Sequence, residues 1–256
     1  MGKSGLPRFV ELDFLRGIAV VSMVIFHAYE DYSFLKEGRS LEGDWYHFWG
    51  KGTAILFLTL FGVTAYLNYI RSSQHRSGFS RWLRKGGILF GWGLIITLVT
   101  KVYLKEGFVV FGILHLMGVG SVLIYPLLSL KYFSLTLGSL IILAGNYLSR
   151  FRFNFAWLVW LGVIPEGFCS IDYFPVIPWL GYILVGIFGG GILYSKGNSR
   201  FMFRKFSRNP FVKGVSFLGR CSLWIYIVHQ PLLLVIIDLI FFKKERFVYY
   251  YMLNML

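Results

Sequence analysis

A chain of 256 residues that is 56% hydrophobic and only 15% charged, with a mean hydropathy of +0.63, is too apolar for a water-soluble globule and reads as a polytopic membrane protein. Its formal charge of +14 raises nucleic-acid binding, but the distribution of that charge argues against it. Five cations (Arg71, Arg76, Arg81, Arg84 and Lys85) share one acid-free connection, and seven more (Lys196, Arg200, Arg204, Lys205, Arg208, Lys213 and Arg220) share another, so 12 of the 26 Lys and Arg residues mark two cytosolic loops by the positive-inside rule.

Lys3 and Arg8 precede the first apolar run and place the N-terminus in the cytosol. The run has acids ahead of it and no small-residue cleavage site, so it is a retained helix rather than a signal peptide. This first helix contains DFLRGIAVVSMVIFH, Asp13 to His27. At about 100° per residue, Asp13, Arg16 and His27 share nearly one face. At about 1.5 Å per residue, His27 lies roughly 16 Å from Arg16, deep in a hydrocarbon core about 30 Å thick. An ionisable group is costly there and marks a functional site by default. The following connection, residues 30–50, sets Glu30, Asp31, Glu37, Glu42 and Asp44 against Lys36 and Arg39, and its net acidity fits the outer face.

Further spans are predicted at 51–70, 86–104, 108–128, 132–149, 175–194 and 217–242. The segment FNFAWLVWLGVI, 153–164, is shorter than the roughly 20 residues a span needs. A full crossing there would also deliver the basic 196–220 stretch to the wrong face. It is predicted to be a re-entrant or half-membrane helix on the outer side. The fold class is therefore all-α, a bundle of about seven transmembrane helices plus that short element, in one domain over residues 1–256. The C-terminal KKERFVYYYMLNML, with its tyrosines, is expected outside or at the interface.

Three histidines fall at one depth in the outer half of the bilayer: His27, His115 on the fourth span and His229 on the last. One shared polar cavity is the favoured explanation, and isolated interhelical hydrogen-bonding residues are the plain one. Gly112 and Gly118, one turn either side of His115 in FGILHLMGVGS, would let a neighbouring helix or a ligand come close. Pro231, in LWIYIVHQPLLL, removes an N–H and frees the carbonyl of Ile227 beside His229. No carboxylate or cysteine is spaced to complete a metal site, and Cys169 and Cys221 form no C-x-x-C, so no metal and no structural disulfide are expected. His47, in DWYHFWGKG, reads as an aromatic-belt residue and a second-rank candidate near an acceptor, and His75 as solvated. Arg16 is suited to the phosphates of a cytosolic donor such as a nucleotide or coenzyme A, with its pairing to Asp13 as the structural alternative.

The Arg16-x10-His27 spacing resembles the first-helix signature of the transmembrane acyltransferase superfamily. More narrowly, RFVELDFLRGIAVVSMVIFH, FGILHLMGVGS, DYFPVIPWLGYILVG and LWIYIVHQPLLL together resemble prokaryotic relatives of the heparan-α-glucosaminide N-acetyltransferase catalytic domain, over residues 8–233. The resemblance implies a multi-pass membrane enzyme that moves an acyl group, usually acetyl, from cytosolic acetyl-CoA to a sugar or amino-sugar acceptor. It implies His27 as the catalytic histidine, with Arg16 as the arginine that acts with it and His115 and His229 as recurrent histidines; by their chemistry at the inner end of the helix, Arg16 and Asp13 are the candidate donor-binding residues. The eukaryotic branch places its histidine in the following loop, where His47 is this chain's counterpart. His27 would serve as general base or as a nucleophile that carries the acyl group. Membrane lipids are the remaining expected partners, and homo-oligomerisation is left open. A proton-coupled small transporter or flippase using the histidine layer is the reading from a different class, opposed by the short chain and the lack of visible inverted repeats.

Overall fold

In the computed structural model, residues 9–37, 43–72, 78–104, 106–194 and 209–241 are described. His75, Arg76, the cations from Lys196 to Arg208 and the C-terminal segment from residue 242 lie outside them. Eight α-helices occur among the described residues: α1 (Val10–Glu37), α2 (Asp44–Ser72), α3 (Phe79–Tyr103), α4 (Ile113–Leu123), α5 (Lys131–Leu148), α6 (Val176–Leu193), α7 (Pro210–Arg220) and α8 (Ser222–Phe241). Three are long and apolar enough to cross a bilayer, at Asp44–Arg71, Phe79–Tyr103 and Val176–Leu193. The pair α7–α8, bent by 81° at its break, makes a fourth if counted as one span. The chain is an all-helical membrane protein.

The chain divides into two compact units. The first gathers α1, the opening part of α2 as far as Leu60, and α7 with α8; the second runs from Phe61 through α6. In the first unit, α1 and α7 meet backbone to backbone. A Cβ on Gly219 would fall on the Asp13 carbonyl, and one on Gly17 on the Val215 carbonyl, so only glycine fits at either position. Trp49 Nε1 donates to Ser22 Oγ at 2.8 Å, and Ser22 lies 2.9 Å from Thr53 Oγ1, which ties α1 to the start of α2. In the second unit Gly138 of α5 and Gly181 of α6 face each other's carbonyls, and Gly62 of α2 sits over the carbonyl of Ile183. α3 leaves Leu94, Ile95, Leu98, Val99 and Val102 exposed, the outward stripe expected of a helix bathed in lipid.

Four elements differ from the sequence-based expectation, each for a local reason. First, α1 continues well past His27 to Glu37, because the chain has neither Gly nor Pro between Gly17 and Gly38. Glu30 and Asp31 are thus helical residues and no part of an outer loop. Second, the stretch 108–128 holds only the 11-residue α4 and one 3₁₀ turn at Tyr125–Leu127. Gly107, with φ +70°, breaks the chain ahead of it, and Phe111 pairs with Tyr173 in an isolated parallel bridge. The Asp172 carboxylate then accepts the N–H of Ile113 at 3.3 Å and caps the helix from outside. Third, 153–164 is no helix: it forms loop and a single 3₁₀ turn at Val159–Leu161, ended by Gly162 at φ +121°. The Tyr173 hydroxyl clamps this loop through the Val159 carbonyl at 2.7 Å, and burial pushes its phenol up to about 12, so it stays a donor. Fourth, the 217–242 span is split at Cys221. The α7 segment is a separate amphipathic helix, capped by Asn209 Oδ1 on the Phe211 N–H at 2.8 Å with Pro210 in its first position.

Candidate active site

The packing of α8 on α1 brings two of the three candidate histidines together. The rings of His27 and His229 lie 5.2 Å apart between centroids, their planes inclined at 44°. One helical turn beyond His27, Glu30 holds Oε2 at 3.8 Å from His27 Nδ1, within ion-pair reach but too long for a strong hydrogen bond. A carboxylate only accepts, so it favours the tautomer with hydrogen on Nδ1 and a lone pair on Nε2. The Tyr46 hydroxyl, buried at the start of α2, donates to Glu30. Phe26 stacks on Tyr46 at 4.5 Å and sets its edge against His27 at 5.4 Å, which fixes both rings.

His229 is only 8% exposed. Its Nδ1 lies 2.7 Å from the Tyr226 carbonyl, so Nδ1 carries the hydrogen and Nε2 the lone pair. The carbonyl that meets His229 is therefore Tyr226's, one residue before the Ile227 carbonyl that Pro231 leaves without its helical donor. Nε2 of His229 is buried and has no hydrogen-bond partner. Next along α8, Gln230 Nε2 donates to both carboxylate oxygens of Asp31, each at 2.9 Å, and its Oε1 is buried without a partner as well.

Arg16 Nη1 donates to Asp13 Oδ1 at 2.9 Å, the pairing held as the structural alternative. His115 lies in the second unit and is 2% exposed. Its Nδ1 accepts the N–H of Gly112 at 3.2 Å, so the neutral ring keeps its hydrogen on Nε2. Phe90 meets the ring edge-on at 5.1 Å and Phe111 stacks at 5.4 Å. The close approach that Gly118 and its neighbours allow is taken up by α3: Gly86 and Gly93, two turns apart on one face, meet Gly118 and His115. His47 is exposed on α2, while its neighbour Tyr46 turns inward. Cys169 and Cys221 are free thiols. Among the described residues no three His, Cys, Asp or Glu side chains converge to hold a metal ion.

Sequence reasoning missed Glu30, Asp31, Tyr46 and Gln230. A signal for the first two was present: Glu30 and Asp31 are three and four residues after His27, the spacing that shares a helix face, but they were read as loop charges.

Residues 8–231 match the family described as heparan-alpha-glucosaminide N-acetyltransferase, catalytic. The chain belongs to that family. The match runs from two residues before α1 into α8 and so takes in Arg16, His27, His115 and His229. No curated protein and no solved structure matches the chain. As a member of the heparan-α-glucosaminide N-acetyltransferase catalytic family, it is a membrane acyltransferase.

Proposed function

We propose that the protein transfers an acetyl group from cytosolic acetyl-CoA to a hydroxyl or amine of a sugar or amino-sugar acceptor, with His27 as general base. The observation that supports this most is the apposition of His27 and His229 with a carboxylate behind His27. Glu30 stands on the Nδ1 side of His27 within ion-pair reach, which leaves Nε2 as the nitrogen that faces the acceptor. His27 Nε2 removes the proton from the acceptor's O–H or N–H. The acceptor atom bonds to the thioester carbonyl carbon, the C–S bond breaks, and the proton passes from His27 to the departing thiolate. His229, whose Nε2 also carries a lone pair, holds the acceptor beside the base.

The donor side is the inner end of α1, where Asp13 holds Arg16 ready to meet phosphate. From there the pantetheine arm spans the roughly 16 Å of helix rise to His27. This geometry calls for a cytosolic N-terminus, which labelling of a cysteine placed at Lys3 in sealed inside-out vesicles checks. In its neutral form His115 offers a donor and no base, so its part is to hold the α4 terminus and the aromatic packing around it.

Purified protein incubated with labelled acetyl-CoA and a panel of sugars, amino sugars and lipid-linked sugars tests the proposal, with His27→Ala alongside. Transfer to at least one acceptor, lost in the variant while coenzyme A binding remains, is expected. Full activity of His27→Ala overturns the assignment.

A further inference from the structure

Two buried acceptor atoms stand side by side in the chain on α8, and both lack a donor: His229 Nε2 and Gln230 Oε1. Neither can exchange its role with a neighbouring atom. The His229 ring is locked by the Tyr226 carbonyl, which requires hydrogen on Nδ1. The Gln230 amide is locked by Asp31, which is itself only 5% exposed. Turning the amide over would set its oxygen against two carboxylate oxygens, acceptor against acceptor. Asp31 therefore fixes which end of Gln230 is left over, and the end left over is the carbonyl.

Buried polar atoms in folded proteins are nearly always paired, so two adjacent orphans of the same kind describe the complement they lack, a pair of donors. On α1 the neighbours of these residues, His27 and Asp31, are about one helical turn apart, about 6 Å along the axis. The two orphans thus belong to one α1–α8 seam, beside the base. A thioester offers only acceptors at its reacting centre and does not satisfy them. A sugar or amino sugar does, since it carries hydroxyls or an ammonium on neighbouring carbons.

We infer that Gln230, oriented by Asp31, accepts a hydrogen bond from a second donor group adjacent to the reacting one, so that the site selects acceptors with two neighbouring donors. The inference rests on the acyl-transfer reading above and adds to it a selectivity-determining residue, Gln230, and a positioning residue, Asp31.

Two small probes isolate the second donor. Cyclohexylamine presents one amine, and trans-2-aminocyclohexanol presents the same amine beside a hydroxyl. Binding of each to the full chain in nanodiscs, without an acyl donor, is measured by titration calorimetry for the wild type, Gln230→Met and Asp31→Asn. The wild type prefers the aminoalcohol by about tenfold, the weight of one net hydrogen bond. Gln230→Met abolishes that preference and leaves cyclohexylamine binding unchanged. Asp31→Asn, which lets the amide sit either way round, reduces the preference to about threefold. No preference in the wild type, or an equal preference in Gln230→Met, overturns the inference. With labelled acetyl-CoA added, the KM for donor stays constant across the three proteins, and a donor KM that rises in Gln230→Met also overturns it. Preference without acetyl transfer to any acceptor leaves the recognition standing and removes the acyl-transfer reading instead, so the two failures are distinct.

Discussion

His229 and His115 are both buried, both on helices and both flanked by aromatic rings, yet they are opposites. His229 gives its Nδ1 hydrogen to a carbonyl of its own helix and keeps a bare, unpartnered Nε2 next to another histidine. His115 takes a hydrogen on Nδ1 from the N–H that begins its helix, and its ring is held between Phe90 and Phe111. Which nitrogen the backbone occupies decides what the other can do: accept a proton in the first case, only donate one in the second. Burial is common to both rings, and the hydrogen-bond partner is what tells them apart.

Substitutions sharpen that contrast. The largest effect is expected at His27, where His27→Ala lowers kcat for acetyl transfer by about 10³-fold, in the range that general base catalysis supplies. Coenzyme A binding, measured by titration, changes little. His229→Ala follows, with a loss of about 10²-fold that falls more on the acceptor KM than on kcat, since its role is to hold the acceptor beside the base. An equal loss in His27→Ala and His229→Ala, with kcat alone affected in both, would merge the two roles and break the distinction between base and holder.

Behind the base, Glu30→Gln keeps the shape of the side chain but removes the carboxylate that lies 3.8 Å from His27 Nδ1, and a drop of about tenfold in kcat is expected. Tyr46→Phe removes only the donor that holds Glu30 and lowers kcat by about threefold. Because both act through one carboxylate, the double variant loses little more than Glu30→Gln alone. Full additivity in steady-state kinetics would detach Tyr46 from the site.

Much of this was legible in the chain before the fold was known. The apolar composition, the two acid-free basic connections and the Arg16-x10-His27 spacing carry the membrane class and the family, and a histidine deep in the first apolar run announces itself by its cost. The helix boundaries were less legible where glycines and capping residues from elsewhere in the chain intervene. Asp172 caps α4 from 59 positions away, and no local pattern marks Ile113 as its partner. Loop 153–164 is apolar enough to suggest a helix, but the positive φ of Gly162 and the Tyr173 clamp hold it as a loop. The depth argument set three histidines at one level, a one-dimensional measure that says nothing about which helices adjoin. The pairing of His229 with His27, and of Gln230 with Asp31, depends on α8 packing against α1, some 200 residues distant in sequence.

The smallest effect on chemistry is expected at His115, and there the comparison is most exposed to failure. His115→Ala removes the acceptor for the Gly112 N–H and the ring between Phe90 and Phe111, a loss of about 2 kcal/mol in stability through the cavity and the orphaned donor. Gly93→Ala strikes the same place while keeping the imidazole, because its Cβ would lie 2.8 Å from His115 Nδ1 and displace the ring. Both variants should melt several degrees lower in detergent while kcat per folded molecule stays within about threefold of the wild type. If His115→Ala instead melts normally and loses transfer as deeply as His27→Ala, the imidazole reaches the reacting groups after all, and the backbone hydrogen bond that makes it a donor becomes part of the catalytic apparatus.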